Sequence, residues 1–405
     1  MPTVSDSAAI APPIISTAAR NLSSSVPSSA RIPELDGLRG LAILLVIFCH
    51  YVGNAEHAQL GFWPHRILSA FTVGWSGVDL FFVLSGFLIG GILLDVRAAP
   101  HYFRAFYMRR VHRILPIYYL WTLLFAVVVI AALTLFPGRL PIARADLLRV
   151  PIQLAFLQNI FIGMSPFPWT WFVVTWSLAV EEQFYLLAPP LFRFLSLRTV
   201  VIVLAAAVVI APLLRLMFFR YWAPSSYLAA FLMPCRADSL ACGMLLAFAW
   251  RQPRFHQWLR EHRSALQLAV LVLFLGIAAL LWWLVHPLNI VTVTLGYSWL
   301  ALFYSTLLVL ALSHTQSRLA AFLRLKPLAW LGAVSYCVYI LHDAFNFFAH
   351  RLLLHSLPRI YDAPGIVVTL LALAATLAVA AFSWRFFEKP LIRRGHSYSY
   401  SEPAP

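Results

Sequence analysis

Charge is scarce in this sequence. Only 11% of its 405 residues are Asp, Glu, Lys or Arg, whereas 61% are hydrophobic, and the mean hydropathy is +0.81. A soluble chain of this length cannot bury so much apolar side chain. Acid is scarcer still: 15 Asp and Glu stand against 30 Lys and Arg, for a net charge of +15. That surplus does not read as a nucleic-acid footprint. The basic residues fall in short loops between apolar runs, which is the topology signal of membrane helices. The four cysteines, Cys49, Cys235, Cys242 and Cys337, show neither close pairing nor metal-ligand spacing, so no disulfide frame and no metal site is expected. The long runs lack polar–apolar alternation, which excludes a membrane β-barrel. Missing too are GxxxxGK[ST], HExxH, GxSxG and any haem motif, which removes P-loop engines and metalloproteases. What is left is an all-α polytopic membrane protein, since helices and closed barrels alone satisfy their backbones in lipid.

Residues 1–33, rich in Ser, Ala and Pro, read as a disordered tail without the ordered regions of a signal peptide. Eleven apolar segments follow between about residues 37 and 387. Segment 147–163 is the weak one, being short and carrying Pro151, Gln153, Gln158 and Asn159. If it dips in without crossing, the Arg-rich loops at 97–113, 251–263 and 318–326 and the basic C-terminus all lie on one side. The expectation is about ten transmembrane helices with a re-entrant or interfacial segment near 147–163. Both termini are then cytoplasmic, with a membrane domain over 34–394 and a short tail at 395–405.

The polar residues inside apolar runs are the candidates for chemistry. In ELDGLRGLAILLVIFCHY, Arg39 and His50 lie 11 residues apart, within about 20° of three full helical turns and about 16 Å apart along the axis. An Arg in hydrocarbon is costly, so this face should line a protein or water cavity; snorkelling of Arg39 to the headgroups is the structural alternative. Ser85, Gly86, Gly90 and Gly91 permit close helix approach, while Asp79, at the outer end of the same segment, needs a partner. Arg110 and Arg113 share a face at i, i+3, either as ordinary positive-inside anchors or as a phosphate clamp. Glu181 and Glu182, just after Trp176, point about 100° apart and should not serve one purpose together. At least one should contact a cation, with Arg236 as a candidate partner. Arg236 and Asp238 pair with each other, with Asp79 or with the Glu pair. Ser335, Tyr339 and His342 share a face, with Asp343 next to the histidine.

Taken in order, LDGLRGLA, GVDLFFVLSGFLIG, RRVHRILPIYY, WSLAVEEQFYLL, RADSLACG, LGAVSYCVYILH and FEKPL resemble the acyltransferase-3 family of integral membrane O-acyltransferases, over about Ile32 to Arg394. The resemblance implies ten membrane helices in a bacterial inner membrane, and an acyl group, acetyl by default, moved from cytoplasmic acyl-CoA. The acceptor is a hydroxyl of a carbohydrate such as lipopolysaccharide, peptidoglycan or exopolysaccharide. It implies His50 as the essential catalytic group and Arg39, Arg110 and Arg113 as donor-binding residues. In some members an acidic residue follows the histidine, and Glu56 is the carboxylate nearest that place. Asp36, Asp79, Trp176, Glu181, Glu182, Arg236, Asp238 and His342 form a supporting polar network in this reading. Acyl-CoA is a co-substrate, and no bound cofactor is expected. Some relatives carry an extracytoplasmic hydrolase-like domain that finishes the transfer. With none before Pro405, the chain is expected to act alone or to hand its acyl group to a separate extracytoplasmic transferase. The competing expectation is a transporter or flippase for a polar lipid or sugar, running along Asp79, Glu181, Glu182 and Arg236.

Overall fold

The computed structural model describes residues 32–135, 145–164, 172–222, 228–283 and 288–401. The expected N-terminal tail therefore lies almost wholly outside the described residues. The first helices are α1 (Pro33–Phe48), α2 (Phe62–Ala70), α3 (Gly77–Asp95), α4 (Tyr102–Leu135), α5 (Ala145–Leu154) and α6 (Gln158–Met164). They are followed by α7 (Trp176–Phe194), α8 (Leu197–Met217), α9 (Leu228–Phe231), α10 (Met233–Trp250), α11 (Pro253–Glu261) and α12 (Arg263–Trp283). The last five are α13 (Tyr297–Ser313), α14 (Arg318–Leu323), α15 (Lys326–Leu354), α16 (Ala363–Ser383) and α17 (Lys389–His396). Among the described residues there is no β-strand, only one isolated bridge between Glu56 and Arg359.

Among the described residues eight helical stretches are long and apolar enough to cross a membrane, and α11 with α12, bent by 81°, makes up to nine. A count of about ten requires α7 as well. Its 19 residues rise about 28 Å, close to the hydrocarbon thickness, but Glu181, Glu182 and Gln183 lower its apolarity. The expected break near 147–163 is present. Helices α5 and α6 rise only about 15 Å and 10 Å, too little to cross, and Phe156 between them has φ 54°. Several of their buried amide groups are paired within the protein. Gln158 donates to the Thr175 carbonyl at 2.8 Å, and the Asn159 and Gln183 amides exchange hydrogen bonds at 3.1 and 2.9 Å.

Glycines set the closest helix contacts. A Cβ added at Gly86 of α3 would strike the Leu240 carbonyl oxygen of α10, and one at Gly243 would strike that of Val83. The Ser85–Gly91 stretch thus packs as its small residues suggest. Helix α1 is clamped in the same way. Side chains at Gly37 and Gly40 would strike the carbonyls of Leu323 and Leu328, one at Gly332 that of Asp36, and one at Gly74 that of Leu45.

Between α3, α8, α10 and α13 lies a dry ion network. The Arg236 Nη2 donates to Asp79 Oδ1 at 2.6 Å, and Ser239 Oγ donates to the same oxygen at 3.1 Å. Arg215 Nη1 donates to Asp238 Oδ2 at 2.9 Å, and Arg215 Nη2 to Ser298 Oγ at 2.6 Å. The two arginines are 2% and 0% exposed, and Arg236 lies 3.9 Å from the centre of the Tyr297 ring. Two cations and two carboxylates cancel. Arg236 therefore serves Asp79 rather than the Glu pair, and the partner of Asp238 is Arg215, which no local pattern announces.

Candidate active site

A cavity of about 320 Å³ opens between α3, α4, α7 and α15. Its α3 wall runs from Val78 to Ile92, a rise of about 21 Å. At the Ile92 end stand Arg109, Arg110 and Arg113 of α4, with His396 and Tyr400 from the C-terminal segment, and Arg39 of α1 also lines the cavity. Helix α4 rises about 51 Å, well over the hydrocarbon thickness, so its arginine-bearing first turns lie beyond the apolar core. The Arg110 guanidinium faces the Tyr185 ring at 5.9 Å, and Arg39 keeps Asp36 at 3.6 Å.

Both Glu181 and Glu182 line this cavity, contrary to the expectation that adjacent carboxylates would part. The cavity is wide enough for their 100° separation to fit within one wall. Ser85 Oγ donates to Glu181 Oε1 at 2.8 Å and Tyr185 donates to Oε2 at 3.3 Å, so Ser85 does more than let helices approach. Trp176 stands outside the cavity lining, 5.9 Å from the Arg236 guanidinium. Asp79, Arg236 and Asp238 likewise line none of it and belong to the dry network.

At its far end the cavity meets Phe81, Ser177 and Tyr339. The Tyr339 hydroxyl bonds Ser177 Oγ at 2.7 Å, and its ring meets Phe81 at 6.2 Å and His342 at 5.8 Å. Beyond that layer lie His342, fully buried, and His50, their rings edge-on at 4.7 Å. The two histidines have matching local geometry. His50 Nδ1 is 3.0 Å from the Val46 carbonyl and His342 Nδ1 is 2.8 Å from that of Tyr339. A carbonyl only accepts, so each Nδ1 carries a proton, and in the neutral ring the lone pair then sits on Nε2. The buried His342 Nε2 has no partner among the described residues.

The α-helix ends at Phe48 and the chain widens into a π-helical turn over Cys49–Gly53, which carries His50. Glu56 then lies in the exposed loop. Its N–H donates to the Pro358 carbonyl at 2.9 Å and its carbonyl accepts from Ile360 at 3.1 Å. It shows no contact with His50 among the described residues. Asp343, half-buried on α15, is a carboxylate close enough to interact electrostatically with His50. The helical stretch runs on to Gly53 and Glu56 lies past its end, so nearness in sequence does not bring it to His50.

Sequence reasoning also passed over the C-terminal segment. Arg109 Nε donates to the Tyr398 carbonyl at 3.0 Å, and its guanidinium lies 4.5 Å from the Tyr400 ring centre. Burial, opposed by the charges of Arg109 and Arg110, raises the Tyr400 phenol above its usual range, so it is neutral. Two tyrosines just past Arg393 and Arg394 were the only available sign. Among the described residues no group of three or more His, Cys, Asp or Glu side chains is arranged to hold a metal ion.

A family model described as an acyltransferase domain matches residues 32–385. The chain is 29% identical over 381 residues to the peptidoglycan O-acetyltransferase OatA of Listeria monocytogenes, covering 90% of this chain and 56% of that protein. It is 26% identical over 385 residues to the O-acetyltransferase OatA of Staphylococcus aureus, covering 90% and 58%. The chain therefore spans little more than half the length of these curated relatives. With the match running through the helices that carry Arg39, His50 and the cavity arginines, this chain belongs to the acyltransferase-3 family.

Proposed function

We propose that this protein is a membrane O-acyltransferase that moves an acyl group, acetyl in the first instance, from cytoplasmic acyl-CoA to a hydroxyl of a cell-envelope carbohydrate. The observation that carries the reading is the long cavity with surplus cations at one end and, beyond the other, a histidine pair whose Nε2 atoms show no hydrogen-bond partner among the described residues. Guanidinium groups suit a donor rich in phosphate, and the narrow apolar α3 wall suits an extended pantetheine arm. The mouth of the cavity and both termini face the cytoplasm of a bacterial inner membrane in this proposal, following the basic loops.

In the transfer step, the hydroxyl oxygen of the acceptor bonds to the thioester carbonyl carbon as His50 Nε2 takes the hydroxyl proton. Collapse of the tetrahedral intermediate breaks the C–S bond, and CoA leaves as a thiolate that takes up the proton. Asp343 favours the imidazolium formed in between. The Tyr339 ring, hydrogen-bonded to Ser177, has to move for a thioester in the cavity to reach His50. The name of the Listeria relative makes peptidoglycan the first acceptor to assay. A transport path along Asp79 and Arg236 has less support, because those groups neutralise one another in a closed network.

The test follows label from acetyl-CoA in membranes containing the protein or its His50→Ala variant, with mass spectrometry of the envelope glycans. An alkali-labile ester that appears with the parent protein and falls about 100- to 10,000-fold in the variant is the expected result. Equal ester formation by well-folded His50→Ala protein would remove His50 from the mechanism.

A further inference from the structure

The C-terminal segment past α17 folds back onto α4 and is fixed at several points. The His101 N–H donates to the Tyr400 carbonyl at 3.4 Å, Arg109 holds the Tyr398 carbonyl, and the His112 and Tyr398 rings lie 5.5 Å apart. Arg104 faces the Tyr398 ring at 5.8 Å. The Tyr400 ring packs against the apolar cluster around Tyr102 and Phe106 and lines the cavity at its arginine end. An aromatic ring braced by a guanidinium at 4.5 Å and open to a cavity is a stacking platform. Such a platform beside a cluster of phosphate-binding arginines has the chemistry of a nucleotide site: phosphates on Arg110 and Arg113, a base on the ring.

We propose that Tyr400 is a binding residue for the adenine base of the acyl donor, and that the C-terminal segment forms the nucleotide end of the donor site. This rests on the proposed acyl-CoA chemistry and deepens it. It assigns a ligand contact to a residue beyond the stretch matched by the family model, residues 32–385. The pantetheine arm then runs from Tyr400 toward Tyr339, along the α3 wall.

The test measures binding of CoA and of 4′-phosphopantetheine, which lacks the nucleotide, to the detergent-purified full chain by isothermal titration. Tyr400→Ala should weaken CoA about ten-fold, the size of one base–ring stack, and leave 4′-phosphopantetheine unchanged. Tyr400→Phe, which keeps the ring, should restore CoA binding. An equal loss for both ligands would make Tyr400 a mere fastening of the segment and overturn the proposal. Tighter CoA binding in Tyr400→Ala would show a plug instead of a platform, and unchanged binding would show no contact. If the parent protein binds neither ligand, the acyl-CoA reading falls together with this one. Parent binding with a null Tyr400→Ala result defeats this inference alone.

Discussion

Two groups of arginines and carboxylates sit within this helical bundle, and their stoichiometry separates them. Around Asp79 and Asp238, two buried arginines meet two carboxylates with hydrogen bonds of 2.6 and 2.9 Å. Around the cavity, Arg39, Arg109, Arg110 and Arg113 outnumber the carboxylates that line it, Glu181 and Glu182, even with Asp36 beside Arg39, and the arginines are only half-buried. A balanced, dry cluster holds helices together. A cluster with cations to spare, open to a cavity, is built to receive an anion. The same residue types therefore carry opposite meanings, and counting charges across each cluster reveals which is which.

The comparison breaks first where charge is most buried. Arg236→Met leaves Asp79 ionised without a partner, which should cost about 3–5 kcal/mol and deplete folded protein from the membrane. The double variant Asp79→Asn with Arg236→Met should recover most of it. Fluorescence-detected size-exclusion chromatography reads both, and a harmless single variant would refute the structural role. Arg113→Ala should do the reverse. Folding stays intact while the KM for acetyl-CoA rises about 10- to 100-fold with the loss of a charged phosphate contact, as initial rates would show. A fall in folded yield matching that of Arg236→Met would erase the distinction between the clusters.

Smaller effects sharpen it. Asp343→Asn should lower kcat about ten-fold with little change in KM, whereas Glu56→Gln should do neither; the opposite ranking would return Glu56 to the site. The smallest effect belongs to the loop above His50, where His57 Nδ1 and His65 Nδ1 share a hydrogen bond at 2.8 Å. Burial first of all, then the neighbouring His65, lowers the proton affinity of His57 below the usual 6.5. The folded form thus binds fewer protons than the unfolded one, and stability present above that value declines as pH falls through it. Melting curves from about pH 7.5 to about pH 5.5 should show a loss near 1 kcal/mol, the worth of one hydrogen bond, that His65→Phe reduces but does not abolish, because burial of His57 remains. A melting temperature flat over this range would dismiss the pair.

Much of this was readable in the sequence, for reasons that differ by residue. Apolar runs are long enough to mark helices because lipid demands it, and Pro151, Gln153, Gln158 and Asn159 marked a segment whose helices are too short to cross. Arg110 and Arg113 were legible because a shared helix face is a local property. The Arg215–Asp238 pair was not, because its members lie on helices whose packing no local spacing encodes. Asp343 was missed as the neighbour of His50 because the two lie on separate helical stretches whose packing no local spacing encodes. Tyr400 was missed because a tail with no apolar run offers no period to read.

The glycine contacts along α1 carry a mechanical consequence. Where backbone rests on backbone, at Gly37, Gly40, Gly74 and Gly332, there is no compliant side chain to absorb a slide or a roll. The interval from Arg39 to His50 is then a rigid gauge cut into the scaffold. A donor seated by its phosphates would present its reactive carbon at a depth set by that gauge, so arm length would be screened before the chemistry of the acyl group is sampled.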